Sequence, residues 1–333
     1  AAAVITSTST GAVTLGTAIA VGQTYAGGAG VDTLTLTATG TKAITTGAGN
    51  DVVTYAGVIG TGGSVDAGAD TDTLVMTRAQ GVTATATTAF AAKVSNFEVL
   101  SLSDAGNAAA INMSNADGIN KLSIAGSTGA LTVTNAAADF TLTQTALTSS
   151  AGSITLLNAT GSNDTVNLAF SAADGFTNSA AYTIAAVENL VITTADTNST
   201  AQTAAFTGLF TATSAKTVTI SGDTGFSLGS DLSATTLTSV DASGITSTVA
   251  SAVGGLTFTS GNFAAAATVK GTAGAGTNTI DVSAATTAIV TYVGGSGIDT
   301  VVLGTGAFAN VLNLGNGTNT VTGASAGANV ITG

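Results

Sequence analysis

Cysteine, histidine and proline are absent from all 333 residues. Without cysteine there is no disulfide and no thiol nucleophile. Without histidine the usual general base is missing and a Ser-His-Asp triad is excluded. Basic residues number only six, scattered along the chain, against eighteen acids and a formal charge of −12. That balance argues against nucleic acid and against docking on an anionic membrane. No apolar run approaches the ~18 residues that span a bilayer, so membrane insertion is not expected. Aromatic residues make up 5% of the chain, so a core has to be built from Ala, Val, Ile, Leu and Thr. A strong helix-period pattern of Leu, Glu and Lys is also missing.

What remains favours strands and turns. Hydrophobic residues reach 44% and glycine numbers 43. Thr and Val suit strands and Gly suits tight turns. Of the eighteen acids, only Glu98 and Glu188 are not aspartate. Asp is the short carboxylate that can sit inside a turn, and with abundant Gly it suggests turns that hold a hard cation. A secreted chain without disulfides needs a long core or metal to hold it. The start, "AAAVITSTST", has no basic or long apolar leader, and the end, "GANVITG", stops inside a repeat-like segment. Both are expected of a fragment or a processed product.

The clearest signal is a nonapeptide. Residues 294–302, "GGSGIDTVV", and 27–35, "GGAGVDTLT", fit G-G-x-G-x-D-x-U-x at every defined position. Residues 46–54, "TGAGNDVVT", lack only the first Gly, and 67–75, "AGADTDTLV", put Asp70 where a Gly belongs. Copies at 273–281, 314–322 and 324–332 are weaker, and the first two carry Asn278 and Asn319 in the acid slot. The slots fall at 32, 51 and 72, then at 278, 299 and 319, steps of 19 to 21 residues. That is about one coil of a parallel β-solenoid per step, with the apolar residue two after each slot (Leu34, Val53, Leu74, Ile280, Val301, Val321) facing inward. The glycines are expected to take positive φ and crowd an ion. Ordinary hairpin turns do not need such constant spacing.

These turns resemble the RTX calcium-binding repeat family. The resemblance implies an all-β parallel solenoid, a β-helix or β-roll, with several Ca2+ ions held between successive turns by Asp carboxylates and backbone carbonyls. Carried onto this chain, the site comprises Gly27, Gly28, Gly30, Asp32, Gly47, Gly49, Asp51, Asp66, Gly68, Asp70, Asp72, Gly294, Gly295, Gly297 and Asp299. Asn278 and Asn319 would be weaker sites or purely structural turns. Stacked carboxylates a few Å apart repel by about 4 kcal/mol per contact at an effective dielectric of 20. Calcium would turn that repulsion into attraction and link folding to the ion.

A longer repeat fills the middle. "DTLVM" at 72–76 returns as "DTVNL" at 164–168, "FEVLSL" at 97–102 as "VENLVI" at 187–192, and "KLSIAG" at 121–126 as "KTVTISG" at 216–222. The expected organisation is a lead-in at 1–24, RTX turns plus a first solenoid unit at 25–156, a second unit at 157–250, and an RTX-like solenoid at 251–333. Within the two units, 77–96 and 169–186 are expected to hold a short helix or a loop on the flank. "SVDASG", 239–244, reads as a turn between coils. Glu98 and Glu188 occupy equivalent places about 90 residues apart, which argues for strand-capping roles rather than a catalytic carboxylate pair. Lys121 and Lys216 match one another as flank residues. Thr-x-Thr segments lack a fixed step, so β-propensity explains them better than ice binding.

With "ADTNST" at 195–200 and "TSAKTVTISG" at 213–222, the whole resembles the C-terminal region of alphaproteobacterial S-layer proteins of the Caulobacter kind. This implies a non-enzymatic protein that is exported by a type I system. On binding calcium it would fold and self-assemble into a homo-oligomeric lattice at the cell surface. Contact with surface polysaccharide would be made by a region outside this chain. The alternative is the stalk or a module of a large secreted RTX adhesin.

Overall fold

The computed structural model describes residues 4–37, 40–55, 61–106, 108–198, 202–232, 236–261, 263–323 and 326–333. Strands dominate, and they pair in parallel as a β-solenoid. Two compact units emerge, Ala1–Leu142 and Thr143–Gly333. Among the described residues no helix is long and apolar enough to cross a membrane.

In the first unit the strands fall in three sheets, Ala109–Asn112 and Leu131–Ala136 pairing in one of them; the other two run as follows. One takes Val4–Thr6, Thr24–Ala26, Ala43–Thr45, Ser64–Asp66 and Val94–Ser95 in order. The other takes Val13–Thr14, Asp32–Leu36, Val52–Tyr55, Thr73–Met76, Val99–Leu102 and Lys121–Ile124. Sheet neighbours are therefore successive coils. The stretch 1–24 already contributes strands to both. The register aligns Leu34, Val53, Leu74, Leu100 and Leu122 in one file, all buried. Alternate residues face out, as strand geometry requires.

The second unit is built the same way. Thr165–Ala172, Asn189–Asp196, Thr217–Gly222, Ser239–Ile245, Ala267–Lys270, Val290–Val293, Val311–Asn313 and Val330–Thr332 follow one another in one sheet. Phe206–Gly208, Phe226–Leu232, Leu256–Ser260, Asn278–Val282, Asp299–Leu303 and Thr320–Thr322 form another. Ile280, Val301 and Val321 align in the second sheet, as the nonapeptide spacing predicts.

Five phenylalanines gather in the second unit. Phe170 lies 5.1 to 6.4 Å, centroid to centroid, from Phe176, Phe206, Phe210 and Phe226. Phe226 is fully buried. Phe226→Ala is expected to cost about 3–5 kcal/mol, read as a lowered urea midpoint at unchanged slope.

The two flanking excursions differ. The first holds the helix Arg78–Thr85, opened by a reciprocal pair in which Thr77 and Gln80 each accept the other's amide through their side chains. Arg78 is buried and donates to the carbonyls of Asp104 and Gly126, pinning the helix to two later coils. The second has no helix: Leu168 and Phe170 keep facing inward, so the strand Thr165–Ala172 runs on into the excursion. "SVDASG" is not a turn. It lies within the strand Ser239–Ile245, whose register against Thr217–Gly222 slips by a residue. Asp241 accepts both the amide and the hydroxyl of Ser243, so the turn-like sequence forms a bulge while Val240, Ala242 and Ile245 stay buried.

Candidate metal turns

The glycine-rich segments cross from one sheet to the next, and each lays its backbone on the turn before it. A Cβ at Gly47 would strike the Gly28 carbonyl, at Gly68 the Gly47 carbonyl, at Gly295 the Thr272 carbonyl, and at Gly297 the Gly276 carbonyl. Amides close the contact: Ala48 donates to Gly28 at 2.9 Å and Ala69 to Gly47 at 2.8 Å. The expectation of positive φ holds only in part. Gly47, Gly49 and Gly68 adopt φ of +109°, +110° and +97°, whereas Gly27, Gly28, Gly30, Gly294, Gly295 and Gly297 do not enter that region. In the two full matches glycine is required for close approach rather than for an unusual dihedral.

The acid slots form a ladder in each unit. The Asp32 amide donates to Asp51 Oδ1 at 2.6 Å, the Asp51 amide to Asp72 Oδ1 at 2.7 Å, and the Asp72 amide to Glu98 Oε2 at 2.7 Å. In the second unit Asn278 Nδ2 donates to Asp299 Oδ1 at 2.7 Å, and the Asp299 amide donates to Asn319 Oδ1 at 2.9 Å. Asp32, Asp51, Asp72, Asn278 and Asp299 are all buried.

Asn and Asp rungs then part company. Asn278 Oδ1 accepts from the amides of Leu256 and Thr272, and its Nδ2 is used on Asp299. Asn319 likewise spends its Nδ2 on the carbonyls of Leu314 and Asn316. The aspartates have no such donor. Oδ2 of Asp51, Asp72 and Asp299 is buried with no hydrogen-bond partner. Near Asp299, the Gly295 amide and the Tyr292 hydroxyl approach without completing a bond. Only Asp32 differs, since Tyr25 donates to its Oδ2 at 2.9 Å. The Asn turns are complete in themselves, while the Asp turns hold a buried oxygen that needs a partner.

In two turns the glycine leaves no room for a side chain: a Cβ at Gly27 would overlap Asp32 Oδ2 and the Thr46 carbonyl, and one at Gly294 would overlap Asp299 Oδ2 and the Leu314 carbonyl. A carboxylate oxygen beside a backbone carbonyl is an all-oxygen donor pair of the kind hard cations take. Among the described residues no three carboxylates gather as a metal group, so carbonyls or water would have to supply most of the ligands.

Two named acids do not join the ladder. Asp66 lies on the strand Ser64–Asp66 and accepts from Asn96 Nδ2 at 2.7 Å. Asp70 stands at φ +86° in a glycine slot and clasps the previous turn through the Gly49 amide at 2.9 Å. Ala324 and Ser325 of the weakest copy, and Ser199 and Thr200 of "ADTNST", lie outside the described residues.

The structure adds residues that the motif search passed over. Asp164 repeats the Asp72 arrangement, with its amide on Glu188 Oε2 at 3.0 Å and its Oδ2 buried without a partner. A second ladder runs on the opposite turn: the Val290 amide donates to Asn310 Oδ1 at 2.9 Å and the Asn310 amide to Asn329 Oδ1 at 3.0 Å. Steps of nine to eleven from 299 through 310 and 319 to 329 were the available signal, half a coil each.

No protein-family model matches the chain, and no curated protein is significantly similar to it. Its own geometry carries the functional argument.

Burial dominates the titration of these acids. It pushes Asp72 up to about 7, with the charges of Asp51, Glu98 and Asp70 adding to it and the Asp51 amide opposing. Burial also raises Asp32 and Asp299. An acid whose folded pKa is raised binds its proton more tightly when folded, so its ionisation opposes folding. For Asp72 the penalty is absent below about pH 4 and grows as the pH rises to about 7. Metal-free protein should lose stability between these limits, and calcium should flatten the slope. Urea midpoints at several pH values, with and without the ion, check both.

Proposed function

We propose that this chain is a structural, non-enzymatic solenoid whose acid turns bind calcium, and that it belongs to a cell-surface array of S-layer type. The observation that carries the reading is the contrast between rungs: Asn278 and Asn319 satisfy themselves, while Asp51, Asp72 and Asp299 keep a buried oxygen unpartnered. Calcium beside that oxygen neutralises a charge that burial alone penalises. The resemblance to RTX turns supports calcium over other hard cations and an extracellular setting, where calcium is plentiful.

The protein residues supply shape as well as charge. Glycines bring successive turns into backbone contact, and the ladder holds Asp51, Asp72 and Asp299 by Oδ1. Glu98 and Glu188 end their ladders as backbone acceptors, which accounts for both without catalysis.

The resemblance to S-layer proteins is what supports self-assembly into an array. Electron microscopy of the purified protein with and without calcium tests the array. Ordered sheets that form only with calcium are expected. Dispersed rods at saturating calcium would contradict the array and favour an adhesin stalk.

A further inference from the structure

The two full nonapeptide matches share a residue that the motif does not describe. A tyrosine stands seven residues before each acid slot, in "TYAGGAGVD" at 24–32 and "TYVGGSGID" at 291–299. The register puts these tyrosines at inward positions that neighbouring coils give to aliphatic residues. Tyr25 pairs with Ile5 and Ile44, and Tyr292 with Val269 and Leu312. Both tyrosines are buried. Ile44 and Val65 stand seven residues before Asp51 and Asp72, so those slots have no hydroxyl at that place.

The two hydroxyls are used differently. Tyr25 Oη donates to Asp32 Oδ2 at 2.9 Å in a buried bond. The Tyr292 hydroxyl lies near Asp299 and Asn278, yet it and Asp299 Oδ2 are both buried without a hydrogen-bond partner. The coil before differs as well. Asn278 Nδ2 holds Asp299 Oδ1 at 2.7 Å, whereas the register places Val13, which has no side-chain donor, beside Asp32. Asp32 takes its donor from its own coil instead. A cation at Asp32 Oδ2 would face the positive end of the tyrosine O–H bond. Turning that hydroxyl away would leave a buried donor unpaired, which is costly. At Asp51, Asp72 and Asp299 no such donor has to be displaced from Oδ2.

We propose that Tyr25 is a specificity-determining residue of the acid turns: its hydroxyl answers Asp32 Oδ2 in place of a cation, so the Asp32 turn takes up calcium more weakly than the turns of Asp51, Asp72 and Asp299. This rests on the reading of the acid turns as calcium sites and ranks them. The test is calorimetric titration of calcium into the metal-free full chain, comparing wild type with Tyr25→Phe, Tyr292→Phe and Asp51→Asn. Phenylalanine keeps the buried ring and removes only the hydroxyl. Tyr25→Phe is expected to gain one ion in the stoichiometry, or to bind one ion about tenfold more tightly, as one buried hydrogen bond to a charged group implies. It is also expected to melt below wild type in chelator. Tyr292→Phe is expected to titrate as wild type. A Tyr25→Phe chain that melts lower but titrates as wild type, or an equal gain from Tyr292→Phe, would overturn the role of Tyr25. Loss of an ion from Asp51→Asn in the same series would leave calcium at the turns standing. Should Tyr25→Phe misfold, Asp32→Asn is expected to cost the chain less calcium than Asp299→Asn does, and equal losses would overturn the ranking. A wild-type chain that binds no calcium would overturn both readings.

Discussion

Stripping calcium from the protein should lower its melting temperature by about 10–20 °C. Each site filled at a hundred times its dissociation constant contributes about 2.7 kcal/mol, so two sites contribute about 5. For domains of this size each kcal/mol moves the midpoint by about 2–4 °C. The effect would be large because the proposed ion would sit beside buried carboxylate oxygens. The ladder engages Oδ1 of Asp51, Asp72 and Asp299 through the preceding coil, but among the described residues Oδ2 of Asp51 and Asp72 has no hydrogen-bond partner, and that of Asp299 has only the near approach of Gly295 and Tyr292. Without the ion, adjacent carboxylates must share protons or repel. Circular dichroism melts in chelator and in millimolar calcium measure the difference. Superimposable melts would mean that the solenoid stands on its core and hydrogen bonds alone.

Gly294→Val should be strongly destabilising, costing more than about 4 kcal/mol. A Cβ at that position would run into Asp299 Oδ2 and the Leu314 carbonyl. The first belongs to a buried, ladder-bound carboxylate and the second to the backbone of the next coil, so neither can move aside cheaply. Gly16→Ala is the matched control, since a Cβ there meets nothing within 4 Å. It should stay within about 0.5 kcal/mol of wild type. Denaturant midpoints for the two variants decide the matter, and a Gly294→Val protein within 1 kcal/mol of wild type would show that the turn is looser than its packing implies.

The solenoid was legible because spacing and alternation obey one rule. Acid slots about 20 residues apart fixed the coil, and an apolar residue two positions on put Leu34, Val53 and Leu74 into one inward file. The 92- and 90-residue echoes placed Asp164 beside Glu188 just as Asp72 stands beside Glu98. The roles of single residues were harder to read. Asp66 and Asp70 look like slot acids in sequence, yet strand phase turns Asp66 toward Asn96, and the left-handed conformation of Asp70 aims it at the previous turn. "SVDASG" has the composition of a turn but forms a bulge, because an Asp–Ser side-chain bond stabilises either equally well and burial of Val240 and Ala242 decides. Turn glycines suggested unusual dihedrals, whereas most serve contact between coils, which only three-dimensional stacking reveals.

Anomalous scattering from crystals grown in calcium addresses the bound ion itself. The account predicts peaks about 2.3–2.6 Å from Oδ2 of Asp51 and Asp299, and none at the Asn278 turn. Density at those aspartates explained by water or a shared proton alone, under saturating calcium, would contradict it.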